Sequence, residues 1–263
     1  MTSQNLLAVS DGEVLSSLDG GVLTLTMNKP SSLNALSAEN FATIESIVRA
    51  GSVSDDVRVI VIRGEGKGFC SGADLDPTGP PSSATLDTGA AAIVAIRNSP
   101  KPVVSVVQGP CAGIGVSLAL AADLVVASDK AFFLLAFTNI ALMPDGGATA
   151  LVAASIGRAR AMRMSLLAER VPGEQAYDWG LVSHLSTADE LEDDVQKLVT
   201  TVASGPSRAY EETKKAVNDA TLGELNEAFS RERYGQTALM TTDDFREGVQ
   251  AFLDRRKATF TGR

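Results

Sequence analysis

Lys101-Pro-Val-Val-Ser-Val-Val-Gln-Gly-Pro-Cys-Ala-Gly-Ile-Gly115 reads as a strand delivered into a turn of small residues and then a helix. Val103 to Val107 is short, β-branched and almost wholly apolar. A strand of that kind belongs in a sheet covered on both faces. Pro102 and Gly109 bracket it as breakers. Ala112-Gly-Ile-Gly115 then removes bulk from the turn, which lets a ligand or another backbone come close. The pattern predicts a helix from about Ile114 to Ala122.

The same plan recurs on either side. Val57-Arg-Val-Ile-Val-Ile62 is a strand running into Gly64-Glu-Gly-Lys-Gly68 and Ser71-Gly-Ala73, with a helix predicted over Leu86 to Arg97. Val22 to Met27 alternates like a strand and stops at Asn28-Lys-Pro30. Ser37 is the predicted N-cap of a helix whose apolar face carries Phe41, Ile44, Ile47 and Val48. Downstream, Leu124–Ala127 and Phe132–Leu135 read as short strands. A helix follows Asp145 and another spans Arg158 to Leu167. Alternating strands and helices predict an α/β fold with buried sheets. From Asp189 onward the pattern is helical, with segments over 190–203, 207–219, 222–239 and 242–257 and a break at Gly205-Pro206. The expected organisation is an α/β core over 1–204 and a helical region over 205–263, packed on the main body or on a neighbouring subunit.

At 263 residues, 44% hydrophobic and 21% charged, the chain has the make-up of one large globular domain. A net charge of −9 argues against a nucleic-acid partner. It leaves room for a local basic patch. Arg255-Arg256-Lys257 is a candidate, the alternative being a solvated helix end. Cys70 and Cys111 are too few for a disulfide framework, which points to a reducing compartment. There is no signal-peptide pattern at Met1-Thr-Ser-Gln-Asn-Leu-Leu7 and no apolar run of about 18 residues, so a cytoplasmic protein away from the membrane is expected. His184 is the lone histidine, which excludes multi-histidine metal sites, and no metal is expected.

The glycine-rich loops invite a nucleotide reading and then fail it. Lys67 is followed by Gly68 rather than the Ser or Thr of a P-loop, and Gly113-Ile-Gly115 lacks a third glycine. Each loop does follow an apolar strand. Two N–H groups converging from such loops on one oxygen form an oxyanion hole. Two unrelated tight turns are the plain alternative. Asp145 is the only charged residue from Ala131 to Gly157. Burial against Phe137, Leu142 and Met143 would raise its pKa toward neutrality and suit proton transfer. Alternatively, it caps the helix that begins near Ala148, which would lower its pKa.

Five stretches, in order and with sensible spacing, carry a resemblance over nearly the whole chain: Asn28–Leu36, Gly68–Leu75, Lys101–Gly115, Asp123–Ala127 and Leu142–Gly147, with Asp244 to Lys257 added at the end. They resemble the crotonase superfamily, or enoyl-CoA hydratase/isomerase family. The resemblance implies a spiral of repeated β-β-α units whose C-terminal helical region mediates homotrimers, often paired into hexamers. It implies an acyl-CoA thioester as substrate, with coenzyme A part of that substrate and no separate cofactor. By similarity, the N–H groups of Ala73 and Ile114 bind the thioester oxygen. The loops from Lys29 to Leu33 and through Ser71, Gly72, Asp74 and Leu75 hold the adenine and pantetheine. Gly113, Ser117 and Phe137 join them as substrate-binding candidates, and Lys257 as a phosphate contact.

One departure narrows the chemistry. The family's hydratases carry two glutamates, and the matching positions here are Ser117 and Phe137. Hydration needs a base for water and an acid for the α-carbon, and neither residue serves. Asp145 instead occupies the turn in which Δ3,Δ2-enoyl-CoA isomerases and ring-processing isomerases hold their single acid. The expected activity is therefore a Δ3,Δ2-enoyl-CoA isomerase of fatty-acid or related acyl-CoA metabolism. A hydratase with relocated acids and a non-catalytic acyl-CoA binder are the alternatives. Ser117 would hold a water or a substrate hydroxyl, or else bond its own helix.

Overall fold

A computed structural model describes residues 5–74 and 83–263. The predicted binding residue Leu75 lies outside them. Strands β1 (Val14–Asp19) and β2 (Val22–Met27) form a hairpin that leads to helix α1 (Ala38–Val53). Strand β3 (Val59–Gly64) precedes α2 (Ala84–Asn98), and β4 (Val103–Val107) with β5 (Pro110–Ala112) precedes α3 (Ile114–Leu120). Next come β6 (Leu124–Ser128), β7 (Phe132–Leu134) and α4 (Ala148–Leu167). The core closes with β8 (Val171–Pro172), α5 (Gly173–Trp179), β9 (His184–Ser186) and α6 (Leu191–Ser204). Helices α7 (Ser207–Thr221), α8 (Leu225–Leu239) and α9 (Asp243–Leu253) follow.

The large sheet has the order β1-β2-β3-β4-β6-β9 and is parallel from β2 onward. A smaller sheet, β5-β7-β8, continues through the bridges Cys70–Cys111 and Leu36–Ala73. The path explains the spiral. After each of β2, β3, β4 and β6 the chain makes a short pairing in the second layer, then turns into α1, α2, α3 or α4. The predicted α/β spiral of β-β-α units is what the structure shows.

Burial accounts for the uniformly apolar strands. Ile60, Ile62, Val103 and Val107 enter the main core with α1 and α2 residues such as Phe41 and Ile93. Val59, Val61, Val104 and Val106 face the other way, onto Leu191, Val195 and Val199 of α6. Both faces are thus dry, and a period-two polar pattern would bury unpaired groups. At α1 the predicted cap is present as a reciprocal pair. Asn40 N–H donates to Ser37 Oγ at 3.2 Å, and Ser37 N–H donates to Asn40 Oδ1 at 2.9 Å.

Two helix ends differ from the sequence pattern by three residues or more. Helix α8 starts at Leu225, three residues after the predicted Leu222, and α9 stops at Leu253. Arg255 adopts a left-handed φ of 53°, which turns the chain out of the helix. Arg256 then reaches back to Glu247. α4 contains a break at Gly157 (φ 76°, ψ 161°), so it is two helices joined end to end, as the spacing predicts. No described helix is long and apolar enough to cross a membrane.

Candidate active site

The two glycine turns meet. Gly72 and Gly113 both have positive φ, 115° and 56°. A Cβ on Gly72 would lie 3.4 Å from the Ala112 carbonyl oxygen, and one on Gly113 would lie 3.5 Å from Gly72 Cα. The loops are therefore in van der Waals contact, and their positive φ is what calls for glycine at both positions. The N–H groups on either side are committed: Asp74 donates to the Leu36 carbonyl at 2.9 Å and Gly113 to the Leu134 carbonyl at 2.9 Å. Those of Ala73 and Ile114 donate to no acceptor among the described residues. Two free donors one residue beyond two touching glycines have the form of an oxyanion hole.

The Ile114 side chain is wedged between α2 and the turn that carries Asp145. A Cβ at Gly89 would lie 2.6 Å from its Cδ1, and one at Gly146 would lie 2.7 Å from its Cγ1. The residue that carries one of the two free N–H groups thus also packs against the turn that carries Asp145. Between α2 and α8 lies a cavity of about 200 Å³, bordered by Leu86 and Ala90 on one side, Phe229 and Arg233 on the other, and Asp145 at its base.

Asp145 is 8% exposed. Gln236 Nε2 of α8 donates to its Oδ2 at 2.7 Å, whereas its Oδ1 is buried without a partner. Burial pushes its carboxyl up to about 7; the Gln236 hydrogen bond pulls it down and the Glu232 charge pushes it further up. The capping alternative fails on geometry. The N-cap of α4 is Gly147, reached through two left-handed glycines with φ 67° and 79°. The acceptor there is Glu232, 85 residues downstream: Oε2 accepts from Gly147 N–H at 2.6 Å, and Oε1 from Thr149 N–H at 2.9 Å and from its hydroxyl at 2.5 Å. With Glu232 as the cap, the Asp145 carboxylate has no duty to its own helix.

The expected burial of that carboxylate holds, and its polar neighbours are additional to the sequence reading. Leu142 and Phe137 are buried, with Phe137 on a 3-10 turn (Ala136–Ile140) close to Gly113. The polar partners come from α8, which the sequence pattern does not tie to Asp145. One was available: Leu225, Ala228, Glu232 and Gln236 form a single buried stripe on α8, so two polar residues sit in core register. Ser117 bonds neither its own helix turn nor free space, because its hydroxyl donates to the Asp145 carbonyl at 2.9 Å. It fixes the backbone of the turn.

The remaining candidates form one continuous surface, with one exception. Ser71 donates to the Ser32 carbonyl at 2.7 Å, which joins the Lys29–Leu33 turn to the Ser71–Asp74 loop. Lys29 Nζ contacts Asp74 at 2.9 Å and Glu13 at 3.2 Å. Leu33, in a left-handed conformation, is 36% exposed. Lys257 lies beyond α9, and its side chain makes no hydrogen bond or ion pair to this surface among the described residues. No cluster of three metal-ligating side chains occurs among the described residues.

The profile of a known family, Enoyl-CoA hydratase/isomerase, matches residues 17–263. The chain belongs to that family. The 1,2-epoxyphenylacetyl-CoA isomerase of Escherichia coli K12 is 36% identical over 95% of this chain and 98% of its own length. The crystal structure of an enoyl-CoA hydratase from Mycobacterium avium subsp. paratuberculosis K-10 superposes with a TM-score of 0.91 at 46% identity, covering 96% of this chain and all (100%) of that one. Isomerase and hydratase names thus both occur among relatives of this family member.

Proposed function

We propose that the protein is an acyl-CoA isomerase of the Δ3,Δ2-enoyl-CoA type, working through Asp145 alone. The carrying observation is that Asp145 borders the cavity and keeps a buried Oδ1 without a partner, while both oxygens of Glu232 are engaged. With the thioester oxygen on the Ala73 and Ile114 N–H groups, negative charge can develop there as a dienolate. Asp145 Oδ1 takes a proton from C2 of a 3-enoyl thioester and returns it at C4, leaving the double bond conjugated. Gln236 holds Oδ2 and so leaves Oδ1 to carry the proton. A carboxyl near 7 is poised for both halves of the transfer. The name of the E. coli relative, an acyl-CoA isomerase, supports the same class.

Hydration needs two independent acid–base groups, and Ser117 and Phe137 supply neither. Coenzyme A is part of the substrate on this reading, with no further cofactor. The Lys29–Leu33 and Ser71–Leu75 loops bind its adenine and pantetheine, and the working form is a homotrimer or a hexamer of two trimers. The test is conversion of 3-hexenoyl-CoA to its 2-enoyl isomer, followed by thioester conjugation absorbance. Asp145→Asn should abolish it while acyl-CoA still binds. Retained turnover, or crotonyl-CoA hydration by the unaltered protein at comparable rates, sinks the reading.

A further inference from the structure

The cavity beside Asp145 has an unusual wall. Arg233 of α8 grips Asp87 of α2, Nε to Oδ1 at 2.6 Å and Nη2 to Oδ2 at 3.2 Å. Both side chains border the cavity, and both are about half exposed, at 53% and 50%. A group that lines a cavity and also faces solvent forms its outer wall. The bidentate fork spans the gap between the two helices and fixes its width.

We propose that the Asp87–Arg233 pair is a specificity-determining end wall that limits the substrate to short or single-ring acyl groups and excludes long alkyl chains. The proposal rests on the isomerase reading for the direction in which the acyl group runs. Two observations support it. A volume of about 200 Å³ holds roughly six or seven groups the size of a water or methylene, well below the roughly 300–1,000 Å³ of sites for larger ligands. Leu86, Ala90 and Phe229 make part of the wall apolar, and the half-exposed Asp87–Arg233 pair makes its solvent side a matched charge pair. An alkyl chain that continues past Asp145 must then either part the pair or lie against it, stripping water from both charges. A short acyl group or a ring ends before that point, and an oxygen on it would meet donors and acceptors.

Binding of saturated hexanoyl-CoA and dodecanoyl-CoA, measured by calorimetry, tests the wall without requiring turnover. The unaltered protein should gain no affinity from the six added methylenes. In Asp87→Asn/Arg233→Met the ratio of dodecanoyl-CoA to hexanoyl-CoA affinity should rise about tenfold, the worth of roughly two newly buried methylenes. The reversed pair, Asp87→Arg/Arg233→Asp, should restore the original ratio and so separates the wall from any general loosening of the fold. An unaltered protein that already prefers dodecanoyl-CoA tenfold, or a ratio unmoved by the double substitution, overturns the proposal. If 3-hexenoyl-CoA is not isomerised while the ratio shifts as stated, the isomerase reading fails and the wall stands.

Discussion

Asp145 is a charge held where water does not reach it, and that has opposite consequences for activity and stability. Its carboxyl titrates near 7 in the folded chain, against an ordinary value of 3.8. The folded state therefore binds a proton that the unfolded state has lost, and stability falls as pH rises from about 4 through about 7. Each unit is worth about 1.4 kcal/mol. Asp145→Asn removes the ionisation, so its melting temperature should exceed that of the unaltered protein at pH 8, by about 2–4 °C per kcal/mol regained, and match it near pH 4. Its isomerisation rate should meanwhile fall by at least about 100-fold. The same titration governs the pH profile. kcat/KM for 3-hexenoyl-CoA should rise with pH and level off above about 7, as Oδ1 becomes the base. Since the Gln236 hydrogen bond lowers the Asp145 pKa, Gln236→Leu should move that inflection upward; an unmoved inflection would remove Gln236 from the proton chemistry. Part of this was legible in the sequence. Isolation between Ala131 and Gly157 marked Asp145 for burial, because an apolar stretch leaves a charge few ways to stay solvated. The free Oδ1 was not legible, since it depends on which oxygen Gln236 takes from 91 positions away.

At the scale of elements, the helix start after Asp145 shows where local reading stops. Asp-Gly-Gly ahead of Ala148 has the composition of a cap, and locally nothing contradicts that. Gly146 and Gly147 turn the chain through left-handed conformations instead, and the N–H groups of Gly147 and Thr149 at the start of α4 find their acceptor on α8. A capping residue on another helix has no sequence spacing to betray it, and only the misplaced polarity of the α8 stripe hints at it. Glu232→Ala should leave the Gly147 N–H buried without a partner and take the acceptor from the partly buried Thr149 N–H. A loss of about 1–3 kcal/mol in urea unfolding is expected. Because α4 starts three residues after Asp145, the isomerisation rate should fall as well, and Glu232→Gln, which keeps an acceptor oxygen, should recover more of the stability than Glu232→Ala. Equal losses in both variants would argue that the charge of Glu232, rather than its capping bonds, is what matters. The strands contrast with this. β3 and β4 were readable from Val, Ile and their neighbours alone, because two-sided burial leaves its mark on every position.

Across the whole molecule, the C-terminal helices belong to the site as much as to any assembly. α8 supplies Glu232, Gln236 and Arg233, and α7 is tied down where Lys214 Nζ reaches the Ile96 carbonyl at 3.2 Å and Asp123 at 2.9 Å. The order of strands and helices was legible because each carries its own period, whereas the folding of the tail over the cavity was not, because contacts over such separations leave no periodic trace. The outer side of the tail is a different matter. Phe252 and Leu253 at the end of α9 are 62% and 44% exposed, and Phe260 beyond them is 44% exposed. Large apolar groups gathered at one terminus of an isolated chain are suited to burial by another copy. A homotrimer built through this region should therefore depend on them. Light scattering should give three times the chain mass for the unaltered protein, or six times if trimers pair. Phe252→Glu/Leu253→Glu should reduce it to one chain mass, since two carboxylates would be buried without partners at each contact. Neither residue borders the Asp145 cavity, so any isomerase activity lost with assembly would have to travel through the Ala136–Ile140 turn, on which α9 packs at Gly248. An undisturbed trimer in that variant would move the subunit contact away from α9.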